Sequence, residues 1–182
     1  MSPTNMNKTQ NRQRRRKHVR LRKHDYSSPG LYFITCCVQD RVCSLGAVEN
    51  DQLMLSDIGI IAKAHWEAIP QHYAHVRLHE FVIMPNHVHG IIEINYAEDK
   101  ATSEKSRILN QFGRPISGSI SMVVNQYKGG VKRWCKLHGY PEFAWQGRFY
   151  DHVIRNQQSY WAICRYIRNN PSKWILDSMN KP

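Results

Sequence analysis

The chain has 182 residues, with 26 lysines and arginines against 14 acidic residues and a formal net charge of +12 at pH 7. That length predicts one domain with a core large enough to need no disulfide or metal. The amino-terminal segment contains no apolar stretch of the kind found in secretion signals, and no run of about 18 apolar residues occurs, which argues against secretion and membrane spanning. Five cysteines without a C-x-x-C pair predict small apolar thiols in a reducing cytoplasm.

The positive charge is concentrated near the amino terminus. Nine of the 26 basic residues lie between Lys8 and Lys23, whereas the remainder of the chain carries 17 basic against 14 acidic residues. Residues 1–24 therefore predict a disordered arm that neutralises phosphates, or else a solvated tail. The arm residues expected to contact a nucleic-acid backbone are Arg14, Arg15, Arg16, Lys17 and Arg20.

The first half of the chain predicts a strand, a helix and a hairpin. β-Branched and aromatic residues indicate the strands, and apolar residues at helical spacing indicate the helix. The turn residues Pro85 and Asn86 separate the last two strands, which are therefore expected to pair antiparallel. These elements are a strand over 31–38, a helix that begins at Ser56 and ends at Pro70, and strands over 76–84 and 87–94.

The second half predicts a loop, two helices and a short strand. Residues 96–117 are polar with glycine and proline, as in a loop. A helix then begins at Ser117 or Ser119, and the pair Gly129-Gly130 weakens its middle and favours a bend. The last elements are a strand over 149–154 and a helix over 157–169 that ends before Pro171.

This order of elements predicts an α+β fold. An antiparallel sheet with two helices packed on one face is a ferredoxin-like or RRM-like layer, with a further helix near the carboxyl terminus. The opposite face of such a sheet is open to ligands or nucleic acid. Residues 25–176 are predicted to form this single domain, and 177–182 to form a tail.

The second predicted helix carries a basic stripe. Lys128, Lys132 and Lys136 recur every four residues and therefore lie on one helical face. The stripe is either a second surface for phosphates or an ordinary solvated helix face, and the spacing alone fits both.

Two histidines flank Val88 in the third predicted strand. Side chains alternate along a strand, so Val88 is predicted to enter the core while His87 and His89 lie together on the other face. Two imidazoles at that spacing can hold one divalent cation. The alternative is an ordinary strand surface, because a single His-x-His pair is a weak motif.

The last predicted helix places Tyr166 and Asn170 on one face, four residues apart. The amide oxygen of Asn170 is a suitable third ligand for a hard cation, and the phenol of Tyr166 can act as a covalent nucleophile. A phenol with a pKa of about 10 is a poor nucleophile unaided, and a divalent metal beside the target phosphate would help it. The alternative is a packing aromatic.

Two other tyrosines are rivals by position. Tyr150 has a neighbouring acid but no metal-ligand partner at helical spacing. Tyr160 falls at helical spacing with Ile163 and Ile167, and is therefore predicted to lie in the core.

Several motifs in order are more specific than any one of them. They are Tyr26-Ser27-x-Pro29-Gly30-x-Tyr32-Phe33-Ile34-Thr35, Pro85-Asn86-His87-Val88-His89, the segment from Trp145 to Arg155, and Tyr166-Ile167-x-Asn169-Asn170-Pro171. Together they resemble the single-tyrosine HUH transposases, and within these the REP-associated tyrosine transposases of bacteria. The resemblance spans about residues 20–176.

The resemblance implies a metal-dependent enzyme that cuts and rejoins single-stranded DNA, folded as a hairpin from a repeated element. It implies that His87, His89 and Asn170 hold Mg²⁺ or Mn²⁺, where many transposases have glutamine in place of the asparagine. Tyr166 would form a 5′-phosphotyrosine and release a 3′ hydroxyl. Arg148 and Arg155 are candidate phosphate contacts, and such a protein would be cytoplasmic and nucleoid-associated.

Two other functions fit parts of the sequence. A nucleic-acid-binding module without chemistry would suit the predicted sheet, although no RNP-like aromatic pattern is present. A two-histidine phosphoesterase would resemble paired His-x-Thr or His-x-Ser motifs, whereas this chain has a single His-x-His. The sequence leaves open whether Tyr166 serves its own subunit or a partner's, and thus whether the protein is a monomer or a homodimer.

Overall fold

A computed structural model describes residues 25–50, 52–96, 118–176 and 180. The predicted arm at 1–24, nearly all of the predicted loop and most of the predicted tail lie outside the described residues. In chain order the elements are β1 (Gly30–Cys37), a 3-10 turn (Gln39–Arg41), β2 (Gly46–Glu49), β3 (Gln52–Leu55), α1 (Asp57–Glu67), α2 (Ile69–His72), β4 (Val76–Met84), β5 (His87–Ile94), α3 (Ile120–Leu137), β6 (Tyr150–Ile154), α4 (Gln157–Arg168) and a 3-10 helix (Pro171–Leu176).

Four of the strands form one antiparallel sheet in the order β4-β5-β1-β6. With α1 and α3, these strands give the order β-α-β-β-α-β of a ferredoxin-like fold. The predicted α+β class is therefore confirmed. Strand β5, which carries both histidines, lies between β4 and β1 inside the sheet.

The main core lies between one face of the sheet and the helices α1 and α3. Trp66 of α1 is fully buried there, and its ring packs edge-on against Tyr127 of α3 with ring centroids 5.1 Å apart. Gly90 allows this approach, because a Cβ atom there would lie 2.3 Å from the Trp66 ring. A larger residue at position 90 would push the indole and the strand apart, one residue from His89.

The other face of the sheet carries a smaller core, formed with α4. Its buried members are Phe33, Ile91, Ile154, Cys164 and Ile167. The face predicted to be open is therefore covered in part, because the apolar residues of α4 are buried against it. Tyr160 packs against this smaller core at half-burial, as its spacing predicts.

Side-chain caps begin the three long helices. Ser56 Oγ accepts a hydrogen bond from Gly59 N at 3.1 Å, Ser119 Oγ from Met122 N at 3.4 Å, and Asn156 Oδ1 from Ser159 N at 2.8 Å. The beginning of α3 is therefore at Ser119, and α3 runs as one helix through both glycines of its middle. Gly130 faces the ring of His65, where a Cβ would come within 2.9 Å, so it lets α1 and α3 approach closely.

The sequence-based prediction missed one element and is wrong in two details. The hairpin of β2 and β3 was not predicted, because four-residue strands carry little periodicity. Pro70 does not end α1, which ends at Glu67; it lies in the first turn of α2, where a proline needs no N–H partner. Cys43 is exposed rather than apolar filling, although all five cysteines are free thiols as predicted.

Strand β4 contains a bulge that bears on the site. Its register against β5 shifts between Leu78 and Phe81, so His79 and Glu80 together stand opposite Ile91 alone. Adjacent strand residues normally point to opposite faces, and a bulge relaxes that rule. Both side chains contact α4, as described below. No helix among the described residues is long and apolar enough to cross a membrane.

Candidate active site

His87 and His89 lie side by side under α4, on the face of the sheet opposite Val88. Their ring centroids are 4.4 Å apart, and their exposed fractions are only 0% and 3%. Val88 is buried in the main core. The predicted alternation of faces is confirmed, and the two rings are buried rather than lying on a solvated strand surface.

Asn86 determines which ring nitrogen of His87 carries the proton. The Asn86 Nδ2 donates to the carbonyl oxygen of Arg41 at 3.2 Å, so its Oδ1 is left for His87 Nδ1, 2.8 Å away. An amide oxygen only accepts, so Nδ1 of His87 is the donor. His87 Nε2 then presents a lone pair, and it is buried without a hydrogen-bond partner in the described part of the chain.

His87 stays neutral at physiological pH. Burial, with a smaller effect of the Arg41 charge, lowers its pKa from the ordinary value of 6.5 to about 3. A neutral imidazole with one nitrogen donating to a carbonyl oxygen is the form in which histidine binds metals. The buried lone pair on Nε2 is therefore the strongest local indication of a cation-binding position.

His89 is engaged at both ring nitrogens. Thr35 Oγ1 lies 2.8 Å from Nδ1, and the phenol oxygen of Tyr166 lies 3.1 Å from Nε2. Thr35 is directly opposite His89 on β1, so both side chains share a face. When Nδ1–H of His89 donates to Thr35, its Nε2 accepts from Tyr166. In both histidines the Nδ1 atom is then protonated and the Nε2 atom carries the lone pair.

Tyr166 lies over the histidines from α4. Its ring also packs edge-on against Phe33, with centroids 6.2 Å apart, yet 45% of the residue is exposed. A packing aromatic would be more fully covered. The phenol oxygen therefore contacts a buried histidine while nearly half of the residue remains accessible to solvent.

Asn170 lies two residues beyond the end of α4, one turn after Tyr166, and is 3% exposed. Its backbone N–H donates to Ile167 O at 3.2 Å, which continues the helical path past the end of α4. Four residues before it, Tyr166 contacts His89; four residues after it, Trp174 faces the His87 ring at 6.0 Å. In the chain, Asn170 therefore lies midway between two residues that contact the histidine pair.

The donor set of this site is unusual in containing few titratable groups. No cluster of three or more histidines, cysteines or acids able to hold a metal occurs within the described ranges. A metal site formed by the two histidines would need a third ligand of another type, and an asparagine amide oxygen is one that divalent cations accept.

Two polar links attach α4 to the bulge of β4. His79 Nδ1 lies 3.0 Å from the Tyr160 phenol, and its Nε2 lies 3.0 Å from Glu93 Oε2 on β5. Arg168 pairs with Glu80, and its hydrogen bond lowers the pKa of that carboxyl group. We refer to these residues, His79, Glu80, Glu93, Tyr160 and Arg168, as the α4 clasp. It holds the helix that carries Tyr166 against the strands of its own chain.

The predicted backbone-contact residues are placed differently. The basic residues of the arm lie outside the described residues. Lys128 is half-buried, and burial lowers its pKa. Its ammonium group donates to Gln146 O at 2.7 Å and so attaches the loop before β6 to α3. Lys132 and Lys136 are exposed on α3, in the layer across the sheet from the histidines. Arg148 and Arg155 are exposed before and after β6.

The sequence did not reveal three of these partners. Thr35 and Asn86 lie inside motifs that were recognised, but their roles depend on strand pairing and a side-chain turn. His79 carries no spacing signal, because it acts through a bulge. One signal was available for Thr35. If β1 is predicted to pair with β5, Thr35 is a polar residue that can stand directly opposite His89.

Comparisons with known proteins agree with this structure. The chain is 39% identical over 167 residues to an uncharacterized protein of Haemophilus influenzae, covering 90% of this chain and 92% of that protein. It is 23% identical over 151 residues to a second H. influenzae protein, provisionally named a REP-associated tyrosine transposase, covering 83% and 75% of the two chains. No protein-family model matches.

The fold is that of a solved transposase. The structure of a REP-associated tyrosine transposase bound to a REP hairpin superposes with a TM-score of 0.56 at 20% identity, over 84% of this chain and 72% of that one. The resemblance predicted from the motifs is thereby confirmed. The chain is thus similar to the REP-associated tyrosine transposases in its ordered motifs and in its fold.

Proposed function

We propose that the protein is a metal-dependent endonuclease and strand transferase that acts on single-stranded DNA at hairpin-forming repeats. The observation that carries this proposal is the 3.1 Å contact between the Tyr166 phenol and His89 Nε2 of the same chain. It supports a tyrosine nucleophile that works together with the histidine pair of its own subunit. The solved relative bound to a REP hairpin supports the choice of DNA.

The residues suit the reaction as follows. Tyr166 Oη attacks the phosphorus of a phosphodiester, the P–O3′ bond breaks, and the departing strand ends in a 3′ hydroxyl. The phenol gives up its proton, and the O3′ atom takes one up. The other strand end remains as a 5′-phosphotyrosine, which keeps the bond energy for rejoining. A 3′ hydroxyl attacking that phosphotyrosine restores a phosphodiester and the phenol.

The histidines and Asn170 are the residues that would hold Mg²⁺ or Mn²⁺. The buried, unpartnered Nε2 of His87 fits this role, as does the depressed pKa that keeps its imidazole neutral. Such an ion would polarise the phosphate and stabilise the charge that builds on it. Because the lone pair of His89 Nε2 serves one partner, a cation held by His89 would replace the bond to Tyr166 and leave the phenol free to turn toward a phosphate.

The test is a denaturing gel of end-labelled hairpin DNA incubated with protein and Mn²⁺. We expect a covalent protein–DNA band with the unaltered protein and no such band with Tyr166→Phe, His87→Ala or added chelator. Tyr150→Phe is the matched control, because it removes another exposed phenol from the same face of the sheet and should leave the band. Cleavage by Tyr166→Phe contradicts the assignment. Binding without any covalent band favours a nucleic-acid-binding module that lacks chemistry.

A further inference from the structure

Helix α4 leaves the beginning of the edge strand β6 uncovered, although Ile154 at the end of the strand is buried against the helix. Tyr150, at the beginning of β6, is 46% exposed, and His152 is exposed two residues later. On β1, Thr35 pairs directly with Tyr150 on one side and with His89 on the other. Residues directly opposite one another in a sheet share a face. Tyr150, Thr35 and His89 therefore form one row across three strands, on the same face as Tyr166.

This row places Tyr150 near the candidate site. Neighbouring strands lie about 4.8 Å apart, so β6 is about 10 Å from β5. His152 lies beside Tyr150 on the same face, opposite Phe33 of β1, which itself contacts both His89 and Tyr166. Phe33 and Thr35 are themselves buried, so the exposed parts of Tyr166 and Tyr150 lie on either side of them on one face of the sheet.

A cavity of about 390 Å³ opens at the outer side of β6. Tyr26, Tyr150, His152 and Arg155 are among its lining residues. Asp151 also lines it but is buried, and Asn156 and Ser159 add neutral polar groups, so the accessible lining combines aromatic rings, a guanidinium and neutral polar side chains. Aromatic rings stack on unpaired bases, and a guanidinium binds phosphate oxygens, so this combination suits a nucleotide of a single strand.

We propose that Tyr150, His152 and Arg155 form a subsite for an unpaired nucleotide that flanks the phosphate attacked by Tyr166. The Tyr150 ring stacks on the base, and Arg155 contacts the backbone. This proposal rests on the proposed function and assigns the route of the DNA strand: from Tyr166 across β1 to β6. A paired base cannot use the subsite, because its faces are covered by its neighbours in the duplex. The subsite therefore selects for single-stranded DNA beside the hairpin.

The test measures binding separately from cleavage. In full-length Tyr166→Phe protein, fluorescence anisotropy gives the Kd for a hairpin DNA with a single-stranded flank. Adding Tyr150→Ala should raise this Kd about tenfold, the size of one lost stacking contact, whereas Tyr150→Phe should leave it within about twofold. Tyr140→Ala is the matched control, since Tyr140 is similarly exposed but follows α3, and it should have no effect.

A second experiment tests whether Tyr150 contacts a base. An abasic position in the flank should weaken binding by the same factor as Tyr150→Ala and cause no further loss in that variant. Additive losses, a Kd unchanged by Tyr150→Ala, or an equal loss with Tyr150→Phe would each overturn the subsite. If the Tyr166→Phe parent binds no hairpin or single-stranded DNA, the proposed function fails as well, which distinguishes the two failures.

Discussion

Two histidines that stand two residues apart on one strand have different surroundings. His87 donates to Asn86 and keeps a buried lone pair without a partner in the described part of the chain, whereas His89 contacts Thr35 and Tyr166. Removing a buried imidazole from water penalises its charged form, which explains the depressed pKa of His87. A neutral, oriented imidazole has a thermodynamic consequence that can be measured without any substrate.

His87 should make the protein less stable as the pH falls. Its pKa is about 3 in the folded chain and about 6.5 in the unfolded one, so the unfolded chain binds more protons between these values. The free energy of unfolding attributable to this residue is therefore fully present above pH 6.5. It should fall by about 2 kcal/mol from pH 8 to pH 5. Denaturant unfolding with a chelator present measures this change.

The matched variant is His87→Gln, which cannot titrate and can still contact Asn86. Its stability should decline less than that of the unaltered protein over the same pH range, by the amount attributed to His87. Parallel pH profiles for the two proteins would contradict the assignment of a depressed pKa to this residue.

The limits of the sequence-based prediction appear at the same scale. The alternation of Val88 with two histidines was enough to place them on one face, because that rule is purely local. Thr35 and Asn86 could not be assigned roles in this way. One acts across a strand pair of a particular register, and the other through a side chain that also bonds the backbone of a distant loop.

Helix α4 depends on the β4 bulge for its attachment. The extra residue in β4 lets His79 and Glu80 both contact one helix, which adjacent residues of a regular strand cannot do. Helical periodicity predicted α4 and the burial of Ile167, but it contains nothing about a bulge on another element. The polar half of the contact between α4 and the sheet was therefore outside what the sequence pattern could reveal.

Loss of the clasp should loosen the helix that carries Tyr166. His79→Ala removes the hydrogen bonds to Tyr160 and Glu93, which together contribute on the order of 2 kcal/mol. We expect amide hydrogen exchange in α4 to accelerate several-fold and the covalent DNA band to form more slowly, while DNA binding changes little. His72→Ala, an exposed histidine in α2, is the control and should change neither rate. Unaltered exchange in α4 would show that apolar packing alone holds the helix.

Much of the positive charge and the candidate active-site residues lie in different parts of the chain. Nine basic residues precede Asp25, and the remaining chain has 17 basic against 14 acidic residues. Burial keeps His87 neutral at physiological pH, so this residue adds no positive charge that would attract DNA to the candidate site. The order of elements and the α+β class were predictable from periodicity, whereas the distribution of surfaces around the sheet was not. Lys132 and Lys136 show this, because their spacing matched a stripe but their layer lies across the sheet from the histidines.

Deleting residues 1–24 should weaken DNA binding and reduce its dependence on salt. Each phosphate contact to single-stranded DNA contributes about 0.7 to the slope of log K against log salt, because counterions are released when the contact forms. We expect a shallower slope for the truncated protein, measured by anisotropy over a salt series with the Tyr166→Phe background. A full-length variant with Arg14, Arg15, Arg16 and Lys17 changed to glutamine separates charge from chain length, and it should reproduce most of the change. An identical slope in all three proteins would place the arm away from the DNA and leave Arg148 and Arg155 as the main candidates for backbone contacts.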